Sequence, residues 1–202
     1  MMESMRTEAQ LVLLRHGQTD WSLSGRHTGT TDVPLTELGE KLATSLGAEL
    51  ADLGLHNPLV LTSPRIRAVR TAELAGLVID RTWGDLVEWD YGDYEGLTTS
   101  QIRQTVPNWT VWTHPCPGGE SHEAVQARAD TVLSVLRPQL IDRDVVLVGH
   151  GHFSRALIAR WLELPIVEGR RFVLSAPAYS ALGVEHDTAA LRCHNRHPAM
   201  ID

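Results

Sequence analysis

Two runs, LVLLRHG at 11–17 and VVLVGHG at 145–151, break in the same way: four consecutive apolar residues, then a histidine followed by glycine. A strand that is apolar at every position has no solvated face, so it must be covered on both sides, as in a parallel sheet layered between helices. PLVLT at 58–62 has the same character. Helical patterns separate the three runs. In 36–53, Leu38, Leu42, Leu46, Leu50 and Leu53 recur at helical spacing behind a Thr36 cap, with Gly54 at the C′ position.

Ser63-Pro64 reads as the cap and first residue of a second helix. A short strand is expected at 78–79 and a short helix at 98–106, ended by Pro107. Ser121 then caps a helix over 121–141 whose buried stripe is Val125, Ala129, Val132, Leu133, Leu136 and Leu140, with Pro138 near its end. After His150, Phe153, Leu157, Ile158, Trp161 and Leu162 mark another helix, and the remainder alternates as two closing strands with a turn near Asp187. This order implies an α/β fold, a three-layer αβα sandwich with a mainly parallel central sheet, and 202 residues suit a single domain over 1–202.

A net charge of -7 with no Lys/Arg run argues against nucleic acid or a membrane surface as partner. The leading MMESMRTEAQ lacks the apolar segment of a secretory signal, and no run approaches the roughly 20 apolar residues of a membrane span. Cys116 and Cys193 give neither a disulfide framework nor a zinc pattern, which suits a reducing, cytoplasmic setting.

In open α/β sheets ligands bind beyond the carboxyl ends of the strands. That rule puts His16, the arginine-rich helix start at 65–70, Glu88 and His150 on one rim. Arg65, Arg67 and Arg70 crowd a helix N-terminus that already carries positive charge, a cost unless an anion or carboxylates meet them. Glu88 follows Leu86-Val87 as though at a strand end, where burial gives a carboxyl the character of a general acid. Taken singly, each residue also reads as an ordinary loop or a solvated face. Together they suit a phosphoryl group, because arginine forks and helix-start amides match its oxygens. There is no GxSxG elbow or GxxxxGK[ST] loop, and neither cysteine has nucleophile-like neighbours. A neutral imidazole can attack phosphorus to form a phosphohistidine, with Glu88 protonating the leaving alkoxide and a protonated His150 helping to hold the transferring group. His150, His152 and His16 also resemble a metal set, but nearby arginines repel a dication and no carboxylate sits at ligand spacing. No metal and no cofactor is expected.

LLRHGQTDW, GRHTGTTDVPLTELG, TSPRIRAVRTA, EWDYGDYEG, PGGES and VLVGHGH, in this order, resemble the histidine phosphatase superfamily, also called phosphoglycerate mutase-like, and within it the small acid or sugar-phosphate phosphatases. The resemblance implies a phosphohistidine at His16, Arg15 and Arg67 on the phosphoryl group, His150 completing the pocket and Glu88 as acid and base. Arg67 is preferred to Arg65 because it lies four residues after Ser63, as in the family's SxxxRA pattern; Arg65 is then free to reach the substrate. Thr28, Gly29, Tyr91, Gly151 and His152 fall on positions that line the substrate side. Ser22 stands where the family often has a phosphate-binding Asn, and its hydroxyl reaches less far. The stretch 96–116 is shorter than the insertion of similar mutases, so an open site and hydrolysis of a small phosphorylated metabolite are expected, with phosphoglycerate mutase as the alternative and a non-catalytic phospho-ligand binder behind it. Trp109 and Trp112 in that stretch would wall the leaving-group pocket or cover a sheet edge. Oligomeric state is left open, a homodimer being one option.

Overall fold

In chain order the elements are β1 (Leu11–Arg15), α1 (Asp20–Leu23), α2 (Glu37–Ala51), β2 (Leu59–Thr62), α3 (Ile66–Leu74), β3 (Arg81–Thr82) and α4 (Thr99–Ile102). Then follow α5 (His122–Leu136), β4 (Val145–Gly149), α6 (Gly151–Trp161), β5 (Ala178–Glu185) and β6 (Thr188–Arg196). This computed structural model describes residue 6 and residues 8–198. Much of the leading stretch read above for a secretory signal therefore lies outside the described residues. Among the described residues no helix is long and apolar enough to cross a membrane.

One six-stranded sheet carries the order β3-β2-β4-β1-β5-β6. The first four strands are mutually parallel, β5 runs antiparallel to β1, and β6 antiparallel to β5. Successive side chains of a strand point to opposite faces, which is why runs apolar at every position sit in the centre. Val12, Leu14, Val60, Val146 and Val148 face Leu46 and Leu50 of α2 and Ala68 and Ala72 of α3. Leu11, Leu13, Leu61, Val145 and Leu147 face Val125, Ala129, Val132 and Leu136 of α5 and Phe153, Leu157 and Trp161 of α6. The αβα layering and the mainly parallel sheet are as the sequence implies.

Four local expectations are corrected. The buried stripe of α2 is Gly39, Ala43, Leu46 and Leu50, while Leu38 is exposed, because the helix start presses a glycine, not a leucine, onto the loop after β1. Gly54 does adopt a left-handed φ of 59°, but two residues beyond the Asp52 cap. Ser63-Pro64 does not open α3: Arg65 is the cap residue, and the first helical amide, Ile66 N, is met by Asp32 Oδ1 at 2.8 Å from another loop. The strand expected at 78–79 is β3 at Arg81–Thr82, so Glu88 lies in the loop after a 3-10 turn at Gly84–Leu86 and not at a strand end. The last two strands turn at His186 and Asp187, both at positive φ.

Parallel register brings three strand ends together. Arg15 pairs with Gly149 and Thr62 with Val148, so the residues that follow, His16, Ser63 and His150, emerge side by side. The ladder runs one step past the strands: His16 N donates to Gly149 O and Ser63 N to Val148 O, each at 2.9 Å.

Candidate active site

His16 and His150 are both buried, with ring centroids 5.3 Å apart and the rings edge-on. His16 Nδ1 lies 2.7 Å from Gly17 O, and a carbonyl only accepts, so Nδ1 carries the proton and Nε2 the lone pair. Arg67 Nε approaches that Nε2 at 3.3 Å. The rest of the Arg67 guanidinium is committed: Nη1 donates to Thr31 O at 2.8 Å and Nη2 to Thr28 O at 3.1 Å. Burial, then the charges of Arg67 and Arg15, hold His16 well below its ordinary 6.5, so the ring is neutral and nucleophilic.

His150 is fixed by Ser63. The Ser63 hydroxyl oxygen accepts from the Arg65 amide at 3.4 Å and lies 2.7 Å from His150 Nε2, the one partner left for its own proton among the described residues. The proton of His150 then sits on Nδ1, a buried donor with no acceptor. Burial, Arg67 and His16 push His150 well below 6.5, so the protonated His150 expected from sequence is corrected to a neutral N–H donor. Arg15 Nε and Arg65 Nε are likewise buried donors without an acceptor. Each such group costs about 1–3 kcal/mol unless an acceptor arrives, and a cluster of them beside two histidines favours an anion. Arg15 is further anchored through Nη1 to Leu174 O.

Glu88 is buried and accepts three backbone bonds: Oε1 from Trp89 N at 2.9 Å and Phe153 N at 2.7 Å, Oε2 from His152 N at 2.9 Å. It thereby caps the start of α6, and Oε2, with one bond, keeps room for another partner.

One pocket joins these groups, lined by Arg15, His16, Ser22, Gly25, Arg26, His27, Thr28, Glu88, Tyr91, Gly151, His152 and Arg155. The structure thus brings His16, Arg15, Glu88, Ser22, Thr28, Tyr91, Gly151 and His152 to a common cavity, with Arg67 and His150 in contact with His16 though not on that lining. Gly29 and Arg65 are not on its lining. The Gly29 and Thr31 amides bond the Glu95 carboxylate instead, and a Cβ on Gly29 would stand 2.5 Å from Trp89 O. Ser22 lines the pocket with its hydroxyl occupied, donating to Thr19 O and accepting from Thr19 N, each at 2.9 Å, in the capping box of α1. Arg70 stands apart on the surface, paired with Glu40 at 2.9 Å. Trp109 and Trp112 are core residues; Trp112 backs the wall, its ring 5.5 Å from that of His152.

Tyr91, His152 and His27 form an aromatic group on the lining. Tyr91 Oη and His152 Nδ1 share a 2.6 Å bond. Burial, then Glu88, keeps the phenol well above 10, and burial, then Arg155, holds His152 well below 6.5. His27, 4.7 Å from the Tyr91 ring, is lowered to about 4, chiefly by burial. Sequence reading did not single out Arg26, His27, Arg155 or the Ser63–His150 bond. For Arg155 a signal existed: it lies one helical turn after Gly151.

A parallel sheet whose rim holds a fixed, neutral imidazole among orphaned cationic and N–H donors defines an α/β phosphoryl-transfer enzyme. A family model described as histidine phosphatase superfamily (branch 1) matches residues 11–197. The chain is 50% identical over 182 residues to an acid phosphatase of Mycobacterium tuberculosis (strain ATCC 25618 / H37Rv), with 90% of each covered. It is 38% identical over 175 residues to the glucosyl-3-phosphoglycerate phosphatase of the same strain, covering 78% of this chain and 77% of that one. A solved structure of an open reading frame product from Mycobacterium tuberculosis superposes with a TM-score of 0.93 at 48% identity, covering 94% of this chain and 98% of that one. The chain belongs to the histidine phosphatase superfamily, and it is a phosphatase.

Proposed function

We propose that the chain hydrolyses small phosphorylated sugars or acids on one catalytic domain, through a phosphohistidine at His16 and without a metal. The observation that carries this is the placement of His16 Nε2: its lone pair is set by the Gly17 carbonyl at 2.7 Å, and Arg67 Nε waits 3.3 Å away to meet the incoming phosphoryl oxygens. In the first half-reaction Nε2 bonds to phosphorus as the ester P–O bond breaks, and protonated Glu88 gives its proton to the leaving oxygen. In the second, Glu88 takes a proton from water, the water oxygen attacks phosphorus, and the P–N bond breaks to restore His16. Arg15, Arg67 and His150 Nδ1–H stabilise charge on the transferring group.

Hydrolysis is favoured over isomerisation because Trp109 and Trp112 turn the short 96–116 segment into the core, so that it contributes no residue to the pocket lining. A reducing, cytoplasmic setting fits two free thiols, Cys116 and Cys193. Rapid quench with labelled substrate is expected to trap an acid-labile, base-stable phosphoenzyme, and activity is expected to survive exhaustive chelation. An active His16→Ala protein would overturn the reading. Glu88→Gln is expected to slow alkyl phosphates far more than aryl phosphates, since only alkoxide leaving groups need the proton; equal losses would remove Glu88 from the acid role. With 3-phosphoglycerate and a trace of bisphosphoglycerate, phosphate release is expected to outrun isomerisation.

A further inference from the structure

Between the 3-10 turn at Ile166–Arg171 and β5 the chain runs without regular structure, so the backbone groups of 172–177 need partners from other parts of the fold. One of them reaches the active site: Leu174 O accepts from Arg15 Nη1. The other end of the same peptide unit is held from β6, where Asn195 Oδ1 accepts from Ser175 N at 2.8 Å and Asn195 Nδ2 lies 3.5 Å from Ser175 Oγ. A trans peptide unit is planar, with its N–H and C=O pointing in opposite directions. Fixing the Ser175 N–H therefore fixes the direction in which Leu174 O meets Arg15.

Asn195 is delivered by an irregularity in β6. Tyr179 pairs with Arg196 and Ala181 with Cys193, which leaves Ser180 of β5 opposite both His194 and Asn195, a β-bulge of the kind that re-aims a side chain beside a site. Asn195 takes the bend with a φ of 53°, a left-handed conformation that asparagine tolerates better than most residues with a side chain. The buried Ser180 hydroxyl secures the bulge: its oxygen accepts from Asn195 N at 3.2 Å and lies 2.9 Å from His194 Nδ1. The His194 ring stands edge-on to Phe172 with 5.9 Å between centroids, so both bulge residues grip the same loop. Gly151 closes in on the guanidinium as well, since a Cβ there would lie 3.1 Å from Arg15 Cζ. Arg15 Nε is left as a buried donor without an acceptor.

We propose that Asn195 is a positioning residue for phosphoryl transfer: through the Leu174–Ser175 peptide it sets where the Arg15 guanidinium stands in the pocket. The proposal rests on the role given to Arg15 in the phosphatase reading. Asn195 is not on the pocket lining, and it acts through one side-chain bond and one peptide unit.

The test uses Asn195→Gly, which keeps the positive φ and removes the amide, and Asn195→Asp, which keeps an oxygen to accept from Ser175 N. With p-nitrophenyl phosphate as substrate, Asn195→Gly is expected to lose roughly tenfold or more in kcat/KM, the scale of a displaced catalytic group. The loss is expected mainly in kcat, because Arg15 meets charge on the transferring group, and Asn195→Asp is expected to restore most of it. In an Arg15→Met background Asn195→Gly is expected to cost almost nothing further, since the two residues then form one coupled unit in a double-mutant cycle. A defect of folding would act equally in both backgrounds. The same factor in both, or wild-type kcat/KM in Asn195→Gly, would overturn the positioning role while leaving the phosphatase reading in place. An Arg15→Met protein with wild-type kcat/KM would instead overturn the role of Arg15 in that reading, and the positioning role with it.

Discussion

Ser63 Oγ lies 2.7 Å from His150 Nε2 as Gly17 O lies 2.7 Å from His16 Nδ1, and a hydroxyl that donates there leaves the His150 proton on Nδ1. Removing the hydroxyl in Ser63→Ala frees the His150 proton to move to Nε2, which turns a lone pair toward the transferring oxygens. The kcat/KM is expected to drop by roughly 10- to 100-fold, about 1.5–3 kcal/mol for a hydrogen bond to a charged group, and the His150 ring nitrogen shifts in NMR are expected to exchange character. Ser63→Thr is expected to restore both; a purely structural serine would alter stability without moving the tautomer. The sign of the pH response follows from His16. As the proposed nucleophile it attacks only when neutral, and burial, Arg67 and Arg15 hold it well below 6.5, so kcat/KM is expected not to fall as pH drops through 6.5. Arg67→Met removes one of those charges and is expected to raise the His16 pKa toward its ordinary value, read by NMR titration of the ring. His16, His150 and Glu88 are legible as one rim from residue type and order, whereas Arg67 is chosen over Arg65 only through the SxxxRA pattern of the family resemblance. Ser63 read as a helix cap because Ser-Pro is a strong local signal, and only the long-range pairing of β2 with β4 shows that the hydroxyl serves His150 instead. Ser22, expected to offer one bond to phosphate, spends it within its own helix turn.

Among the elements, α2 matters to the site through a contact that leucine periodicity hides. Its first turn packs against the residues after His16, and both partners are glycines: a Cβ on Gly39 would lie 2.2 Å from Gln18 O, and one on Gly17 2.7 Å from Gly39 O. The Gly17 amide is fixed in turn by Thr71 Oγ1 of α3 at 2.9 Å, so two helices hold the loop that follows His16. Gly39→Ala must push backbone from backbone. It is expected to lose about 1–3 kcal/mol in urea denaturation and to lower kcat together with stability. Gly54→Ala is the control: with φ at 59° and nothing within 4 Å, it is expected to cost about 1 kcal/mol with activity intact. Sequence patterning placed this helix correctly but turned its face toward Leu38, since an apolar template weighs leucines and gives no weight to a missing side chain. The late arrival of β3 has a similar cause. Its two residues are exposed, so no apolar pattern marks them, and pairing to the edge of β2 alone defines the strand.

For the molecule as a whole, the burial that keeps the pocket neutral links folding to pH. His16, His27, His150, His152 and His194 all lie below 6.5 in the folded state. An unfolded chain binds protons on these rings near 6.5 while the folded chain does not, so stability is full above that pH and is lost as pH falls from 6.5 toward the folded values. For His27, lowered to about 4, the change amounts to roughly 3 kcal/mol across the interval, at 1.36 kcal/mol per unit. The melting temperature is therefore expected to fall steeply between pH 7 and pH 5 in differential scanning calorimetry, and a flat profile would refute the linkage. Inorganic phosphate supplies negative charge beside His16 and His150, offsetting the arginine charges that lower them. Phosphate-saturated protein is expected to show a shallower slope and to take up protons on binding, measurable by titration calorimetry in buffers of different ionisation enthalpy. The acid limit of activity then belongs to the fold and not to the nucleophile. Activity lost at low pH should follow the unfolding transition in time and temperature, and added phosphate should delay both together.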